Sequence, residues 1–258
     1  MSSKENSHFI NEETKHMETE HKVIITEDAK AAQYYAVNQI PYVVWLNEKN
    51  REQHFPSGAY CVEKLSDIDA QYLDRVYRRV KGIPWDITET PRLRIREITV
   101  ADVPQLYELY RDASITQFME PLFAEPEQEI IYTKEYIKNI YGFYGYGMWV
   151  IESKENGKVV GRAGLEYKEG FSGLELGFML GVAYQHKGFA YEACSAILSY
   201  GITELEQKTY CSFVDKDNKP SIRLCERLGF EQHGKVLLHN FDGLTVEKEY
   251  LQYEYTAN

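Results

Sequence analysis

The sequence predicts an α/β protein in two parts, a small module followed by a larger domain. Three observations carry that expectation. Short apolar runs with strand-like alternation interleave with helical patterns of period 3.6 along most of the chain. Residues 22–82 follow a strand–helix–strand order, which calls for parallel pairing through right-handed crossovers. After a proline-bracketed junction the order becomes β-α-α-β-β-β-α-β-α-β-β, with hairpin signals between several strands.

The chain has 258 residues, enough for one large or two smaller domains. Hydrophobic residues make up 43% and aromatics 14%, including 21 tyrosines, which excludes wholesale disorder. The balance of 29 basic to 40 acidic residues gives a net charge of −11. Such a chain repels phosphate backbones and anionic lipid, so neither nucleic acid nor membrane is an expected partner. No run approaches the roughly 18 apolar residues of a membrane span, and the first residues lack a secretory pattern. The expected location is cytoplasmic. The four cysteines, Cys61, Cys194, Cys211 and Cys225, form no C-x-x-C pair, and no structural metal site is expected.

Residues 1–21 hold few large apolar side chains and read as a flexible tail or a loosely packed helix. Residues 22–88 read as an accessory module. Lys22 to Thr26 is a strand, Glu27 to Gln39 a helix, Ile40 to Leu46 a second strand and Ala59 to Val62 a third. Ser66-x-x-Asp69 is a capping box opening a helix that runs to Gly82. Gly82 to Pro91, with two prolines and no period, is the junction. In residues 89–258, Leu93 to Ile98 alternates as a strand. Thr99-x-x-Asp102 caps a helix bearing Val103, Leu106, Leu109 and Tyr110. A second helix fits Gln128 to Tyr141. Met148–Glu152 and Lys158–Gly161 flank Asn156-Gly157, a hairpin turn. Gly173 to Leu180 is a strand, Gly188 to Glu204 a helix, Thr209 to Val214 a strand and Pro220 to Leu228 a helix. A final hairpin turns at Asp242-Gly243.

The informative stretch is Gln185-His186-Lys187-Gly188-Phe189-Ala190. It links a strand to a helix, so unpaired N–H groups and the positive end of the helix dipole meet there. That geometry suits phosphate, and Gly188 admits close approach because it has no Cβ.

With its neighbours, this stretch resembles the GNAT superfamily of N-acetyltransferases, nearest to those that acetylate ribosomal-protein N-termini. The resemblance covers about residues 90–258. Leu93-x-Ile95-Arg96 with Thr99-x-x-Asp102 is similar to the family's first strand and helix, and Glu175-Leu-Gly-Phe178 to its fourth strand. Gln185-x-x-Gly188-x-Ala190, with Glu192-Ala193, is similar to its pyrophosphate loop. Asn218-Lys-Pro-Ser221, with Leu228-Gly229-Phe230, is similar to its next loop and helix.

The resemblance implies a mixed, mostly antiparallel sheet in which two parallel strands splay apart. Acetyl-CoA would lie in that V, between Leu176–Leu180 and Thr209–Val214. Its pantetheine would pair with the edge at Met179, Leu180 and Gly181, and its pyrophosphate would sit on the amides of 186–190. Asn218 and Ser221 would flank the arm, and an amide near Phe178 would stabilise the oxyanion. The amine, from a small molecule or a protein N-terminus, would attack directly. Glu175 and Glu166 are the candidate bases, with a structural carboxylate as the alternative for each. Relatives place a tyrosine acid where this chain has Cys225, so Cys225 is read either as the acid or as a buried packing residue. The run Tyr141 to Trp149 either walls the acceptor pocket or packs a helix end. Tyr132, Tyr136 and Tyr141 are read as ordinary helix residues. Homodimerisation is left open.

Val23 to Asp28, Ala31-Ala32 and Ile40 to Val44 are similar to the last third of a HAD-type phosphohydrolase, where an acidic pair holds magnesium. The D-x-D nucleophile at a strand end is missing, so the module is read as non-catalytic. Two alternatives stand beside the acetyltransferase: a non-catalytic acyl-CoA sensor, and a magnesium-dependent phosphatase resting on Glu27-Asp28.

Overall fold

The computed structural model describes residues 22–239 and 247–257. They fall into two compact units, divided between Trp85 and Asp86.

The first unit is a three-stranded parallel sheet in the order β1-β2-β3: β1 (Ile24–Thr26), β2 (Tyr42–Trp45) and β3 (Tyr60–Val62). β2 is the central strand, and every residue of it is apolar because both faces are covered. Tyr42 and Val44 pack with Ala32 of α1 (Ala29–Val37). Val43 packs with Leu73 and Val76 of α2 (Ala70–Lys81). The helix α2 opens three residues later than the Ser66 capping box predicts. Asp69 is its N-cap, accepting from the Tyr72 amide at 2.6 Å, while Ser66 sits in a short 3-10 turn, Leu65–Asp67. A carboxylate with extended backbone outcompetes the hydroxyl as the cap.

The second unit is built on an eight-stranded sheet in the order β10-β11-β9-β8-β7-β6-β5-β4. β4 (Asp86–Glu89) pairs antiparallel with β5 (Leu93–Arg96), so the sheet begins inside the segment read as a junction. The unit boundary therefore falls three residues ahead of the one at 88/89. A capping box at Thr99 and Asp102 turns the chain into α3 (Val103–Tyr110). α4 (Pro126–Tyr136) follows, and then a five-residue π-helical turn, Ile137–Tyr141, and the single turn α5 (Gly142–Tyr144). β6 (Met148–Ser153) and β7 (Val159–Tyr167) form the expected hairpin, with Gly157 at φ +67° in its turn. β8 (Leu174–Leu180) leads to α6 (Phe189–Thr203), β9 (Thr209–Val214) and α7 (Lys219–Leu228). β10 (Glu231–His239) and β11 (Glu247–Thr256) pair antiparallel. The turn expected at Asp242-Gly243 lies outside the described residues.

α6 covers one face of the sheet. Ile197, Cys194 and Ala193 are fully buried there, and Tyr200 meets the Trp149 ring edge-on at 5.6 Å. α3 packs against the other face of β7, where the Tyr141 phenol is buried and donates to the Met148 carbonyl.

The feature that shapes the site is the β8–β9 pair. Among the described residues it is the one parallel pair of this sheet, and its register runs over Leu174 with Tyr210 and Glu175 with Cys211. Beyond that point the two strands part, giving the expected V. Gly173 fixes the closed end: at φ +89° a Cβ would lie 2.2 Å from the Thr209 carbonyl oxygen. No other residue type lets the chains meet so closely there.

Candidate active site

β8 ends at Leu180, and a 3-10 turn, Val182–Tyr184, carries the chain to the start of α6. The Gln185 side chain donates to the Leu180 carbonyl at 3.0 Å and pins the loop to the strand it has just left. His186 at φ +59° and Gly188 at φ +81° then curl the backbone. The consequence is a row of free donors. The first α6 amide with a partner is that of Glu192, which donates to the Gly188 carbonyl at 3.0 Å. Among the described residues, the amides of His186, Lys187, Gly188, Phe189, Ala190 and Tyr191 have no acceptor in the chain. They stand at the open end of the V, at the positive end of a 15-residue helix. Such a nest has the geometry and polarity that suit a diphosphate.

A residue that the sequence reading missed stabilises this loop. Arg92, just ahead of β5, donates through Nε to Glu192 Oε2 at 2.6 Å and through Nη1 to the Lys187 carbonyl at 3.0 Å. Its guanidinium lies 4.5 Å over the Phe189 ring. Thr90 adds a 2.6 Å bond to Glu192 Oε1. Partial burial raises the Glu192 carboxyl, but Thr90 and Arg92 outweigh it and hold the group below its ordinary range. The motif showed Glu192; its partner, 100 positions earlier, could only be found in the fold.

The strand edge departs from expectation at two residues. Gly181 donates its N–H to the Val160 carbonyl of β7 at 3.0 Å, and strand alternation turns the Met179 backbone the same way. Those two backbones therefore face β7. The backbones of Leu176, Phe178 and Leu180 face the open side, where Leu176 O already accepts from Ser212 Oγ at 3.1 Å. The period-two rule gives this assignment once one bond of the ladder is known.

Glu166 and Glu175 are cross-strand partners on one face of the sheet. Glu166 accepts from the Tyr136 hydroxyl at 2.6 Å, and that hydroxyl in turn accepts from the Met148 amide at 2.7 Å. Tyr136 is thus a buried link between α4 and a candidate base, and not simply a packing residue. Glu175 sits 3.5 Å from Lys168 Nζ. Burial raises its pKa despite Lys168, and Glu166 pushes it further up. A carboxylate so raised is a better proton acceptor than a solvated one.

Cys225 is fully buried on α7. Burial pushes its thiol up to about 11, against a partial opposing effect of Ser212. A thiol enclosed in this way fits the packing reading of Cys225 better than the acid reading. Asn218 is the N-cap of α7 and accepts from the Ser221 amide at 3.2 Å. In the aromatic run, Tyr141 and Trp149 are interior, whereas Phe143 and Tyr144 are exposed. A separate cavity of about 400 Å³ lies beside α3, lined by Tyr107, Tyr110, Arg111, Thr116 and Phe123 among others.

In the first unit the acidic pair has other uses. Asp28 caps α1 by accepting from the Ala31 amide at 2.7 Å, and Glu27 accepts from Asn47 at 2.8 Å. Among the described residues no group of three or more His, Cys, Asp or Glu could hold a metal ion. The HAD-type likeness and the phosphatase alternative built on Glu27-Asp28 have no support in this geometry.

The comparisons agree with the second unit's architecture. The profile of the acetyltransferase (GNAT) domain matches residues 92–231. The uncharacterized N-acetyltransferase p20 of Bacillus licheniformis is 29% identical over 157 residues, 59% of this chain and 85% of its own. Spermidine N(1)-acetyltransferase of Escherichia coli K12 is 26% identical over 151 residues, 58% of this chain and 77% of its own. Among solved structures, the acetyl transferase of Salmonella typhimurium that modifies the N-terminal serine of ribosomal protein L7/L12 aligns with a TM-score of 0.57. It is 16% identical and covers 67% of this chain and all of its own, a likeness of fold. The chain belongs to the GNAT acetyltransferase family, and its enzymatic class is acyl transfer. No helix among the described residues is long and apolar enough to cross a membrane.

Proposed function

We propose that the protein transfers the acetyl group of acetyl-CoA to a primary amine by direct attack in a ternary complex. The observation that carries this reading is the row of six unpartnered amides, 186 to 191, at the mouth of the β8–β9 splay. A diphosphate on that row sends the pantetheine arm down the V, past the open side of Leu180 and Phe178, with Asn218 Nδ2 alongside. The thioester then lies near Phe178, whose N–H faces the developing oxyanion.

Glu175 acts as the base. An ammonium entering beside it gives up a proton to the carboxylate, directly or through one water. The freed nitrogen lone pair attacks the carbonyl carbon, the C–N bond forms, the C–S bond breaks, and the new amide nitrogen gives its second proton to solvent. The thiolate leaves with the electron pair and takes its proton from solvent, a route open to a thiolate leaving group. Glu166, fixed by Tyr136, supports the same negative face and favours a cationic amine.

Acceptor-dependent release of CoA thiol, measured over a panel of amines that includes polyamines and peptide N-termini, tests the proposal. Turnover with at least one amine class is the expected result. Tight acetyl-CoA binding with no turnover on any amine would favour a sensor.

A further inference from the structure

We infer that the acceptor amine also carries a carboxylate, bound by the Arg162 guanidinium together with the Tyr110 hydroxyl. The inference rests on the amine-transfer reading above and narrows its substrate class.

Arg162, Gly164 and Glu166 alternate onto one face of β7, the face that holds the candidate base. Arg162 is partly exposed as a residue, yet its Nε is sealed from solvent and has no hydrogen-bond partner. Its strongest electrostatic neighbours are the phenols of Tyr110, Tyr141 and Tyr136. Among the described residues it forms no ion pair. The arginines of β5 and its approach behave differently: Arg92, Arg94 and Arg96 each hold a carboxylate. A guanidinium nitrogen sealed from solvent with no acceptor is costly unless an anion meets it. The planar fork of the group matches a carboxylate.

Tyr110 connects this cation to space for a ligand. It lines the cavity of about 400 Å³ beside α3, with Arg111 and Thr116 as further donors. The opposite end of the same face carries Glu166 and Glu175. Four residues of strand separate Arg162 from Glu166, about 13 Å along the backbone. Anion site and base thus lie at two ends of one surface, matching a molecule with a carboxylate at one end and an amine at the other. The Met148 side chain lies over Gly177 between them, and its unbranched thioether can swing aside.

The test compares amines that differ only by the carboxylate: L-lysine with cadaverine and L-ornithine with putrescine, alongside spermidine and phosphoethanolamine. kcat/KM is measured with acetyl-CoA for wild type, Arg162→Gln, Arg162→Lys and Tyr110→Phe. The expected result is a preference of about 10- to 100-fold for an amino acid over its decarboxylated partner, expressed in KM. It should fall to about one in Arg162→Gln, recover partly in Arg162→Lys and weaken in Tyr110→Phe. Retained acetyl-CoA affinity certifies that each variant is folded. Equal use of both members of each pair, or a preference that survives in Arg162→Gln, overturns the inference. A preference for phosphoethanolamine instead assigns the site to phosphate and overturns the carboxylate. Turnover of spermidine but of neither amino acid overturns the inference and leaves the amine-transfer reading intact. No turnover with any amine removes that reading and this inference with it.

Discussion

Arg92 and Glu192, 100 positions apart, meet at the base of the loop that opens α6, with Nε 2.6 Å from Oε2. The pair solves an electrostatic problem. Glu192 lies in the first turn of α6, where a bare carboxylate would compete with a bound phosphate for the same amides. Arg92 neutralises it, draws it toward Thr90 and ties the Lys187 carbonyl into the same cluster. Removing Arg92 should therefore both loosen the loop and unmask a negative charge. Arg92→Ala should raise the KM for acetyl-CoA by about tenfold or more with a smaller change in kcat, and Arg92→Lys should rescue part of it. A KM that stays within about twofold of wild type would remove Arg92 from the donor site.

With Glu175 as the proposed base, its carboxyl sets the expected pH dependence. Burial and Glu166 raise its carboxyl, and the base must be deprotonated to act. The acid limb of kcat/KM should therefore lie above the ordinary carboxylate range, with activity falling as pH drops through it. Glu175→Gln should lose about 10²–10⁴-fold in kcat and abolish that limb. An unchanged acid limb in Glu175→Gln would assign the proton elsewhere.

Tyr136 tests the coupling of helix to base. Its hydroxyl bridges the Met148 amide and Glu166, and a Cβ on Gly147 would lie 2.7 Å from it. Tyr136→Phe leaves a buried amide and a carboxylate unpaired, which costs about 1–3 kcal/mol. A urea midpoint lowered accordingly, together with a shifted acid limb of the rate profile, is the expected outcome. A midpoint equal to wild type would show that the bridge does not form.

The Asp102 cap ties the first helix of the second unit to its sheet. The carboxylate receives Arg96 Nη1 and Nη2, each at 2.8 Å, and the Thr99 amide at 2.7 Å. Burial alone would raise its pKa, but Arg96 and Thr99 bring it below the ordinary value. The stabilisation is therefore complete above the unfolded-state pKa of about 3.9 and is lost as pH falls through the lower folded value. Asp102→Ala should destabilise the protein by about 1–3 kcal/mol at neutral pH, because it removes the cap and one of two carboxylates on Arg96, whose Nε still donates to Glu152 at 2.8 Å. Denaturant melts at about pH 7 and about pH 3 should show the gap narrowing in acid.

The sequence made much of this architecture legible where local rules decide. Alternation located β5 to β9, Thr99 and Asp102 announced their capping box, and the Gln185–Ala190 pattern marked the loop whose amides are free. What escaped depended on partners far along the chain. β4 is four residues long between prolines, and only pairing with β5 makes it a strand. Asp69 displaced Ser66 as a cap through local competition among acceptors. The π-helical turn at Ile137–Tyr141 has no sequence period of its own, yet it rotates Tyr141 into the core, where the phenol also accepts from the Ile98 amide at 3.3 Å. The two backbones of Met179 and Gly181 turned toward β7 because register is a property of the pair, and a one-residue difference reverses every side.

The amides of 186–191 are tested most directly by calorimetric titration of acetyl-CoA into the wild-type chain and into Gly188→Glu. Gly188 is exposed at φ +81°, and a Cβ added there would meet Arg92 Nη2 first, at 3.5 Å. A glutamate at this position strains the backbone and sets a carboxylate against the diphosphate. Saturable binding to the wild type and a loss of about 100-fold or more in the folded variant are the expected results. Equal affinities for the two proteins, or no binding to the wild type, would contradict a diphosphate seat on these amides.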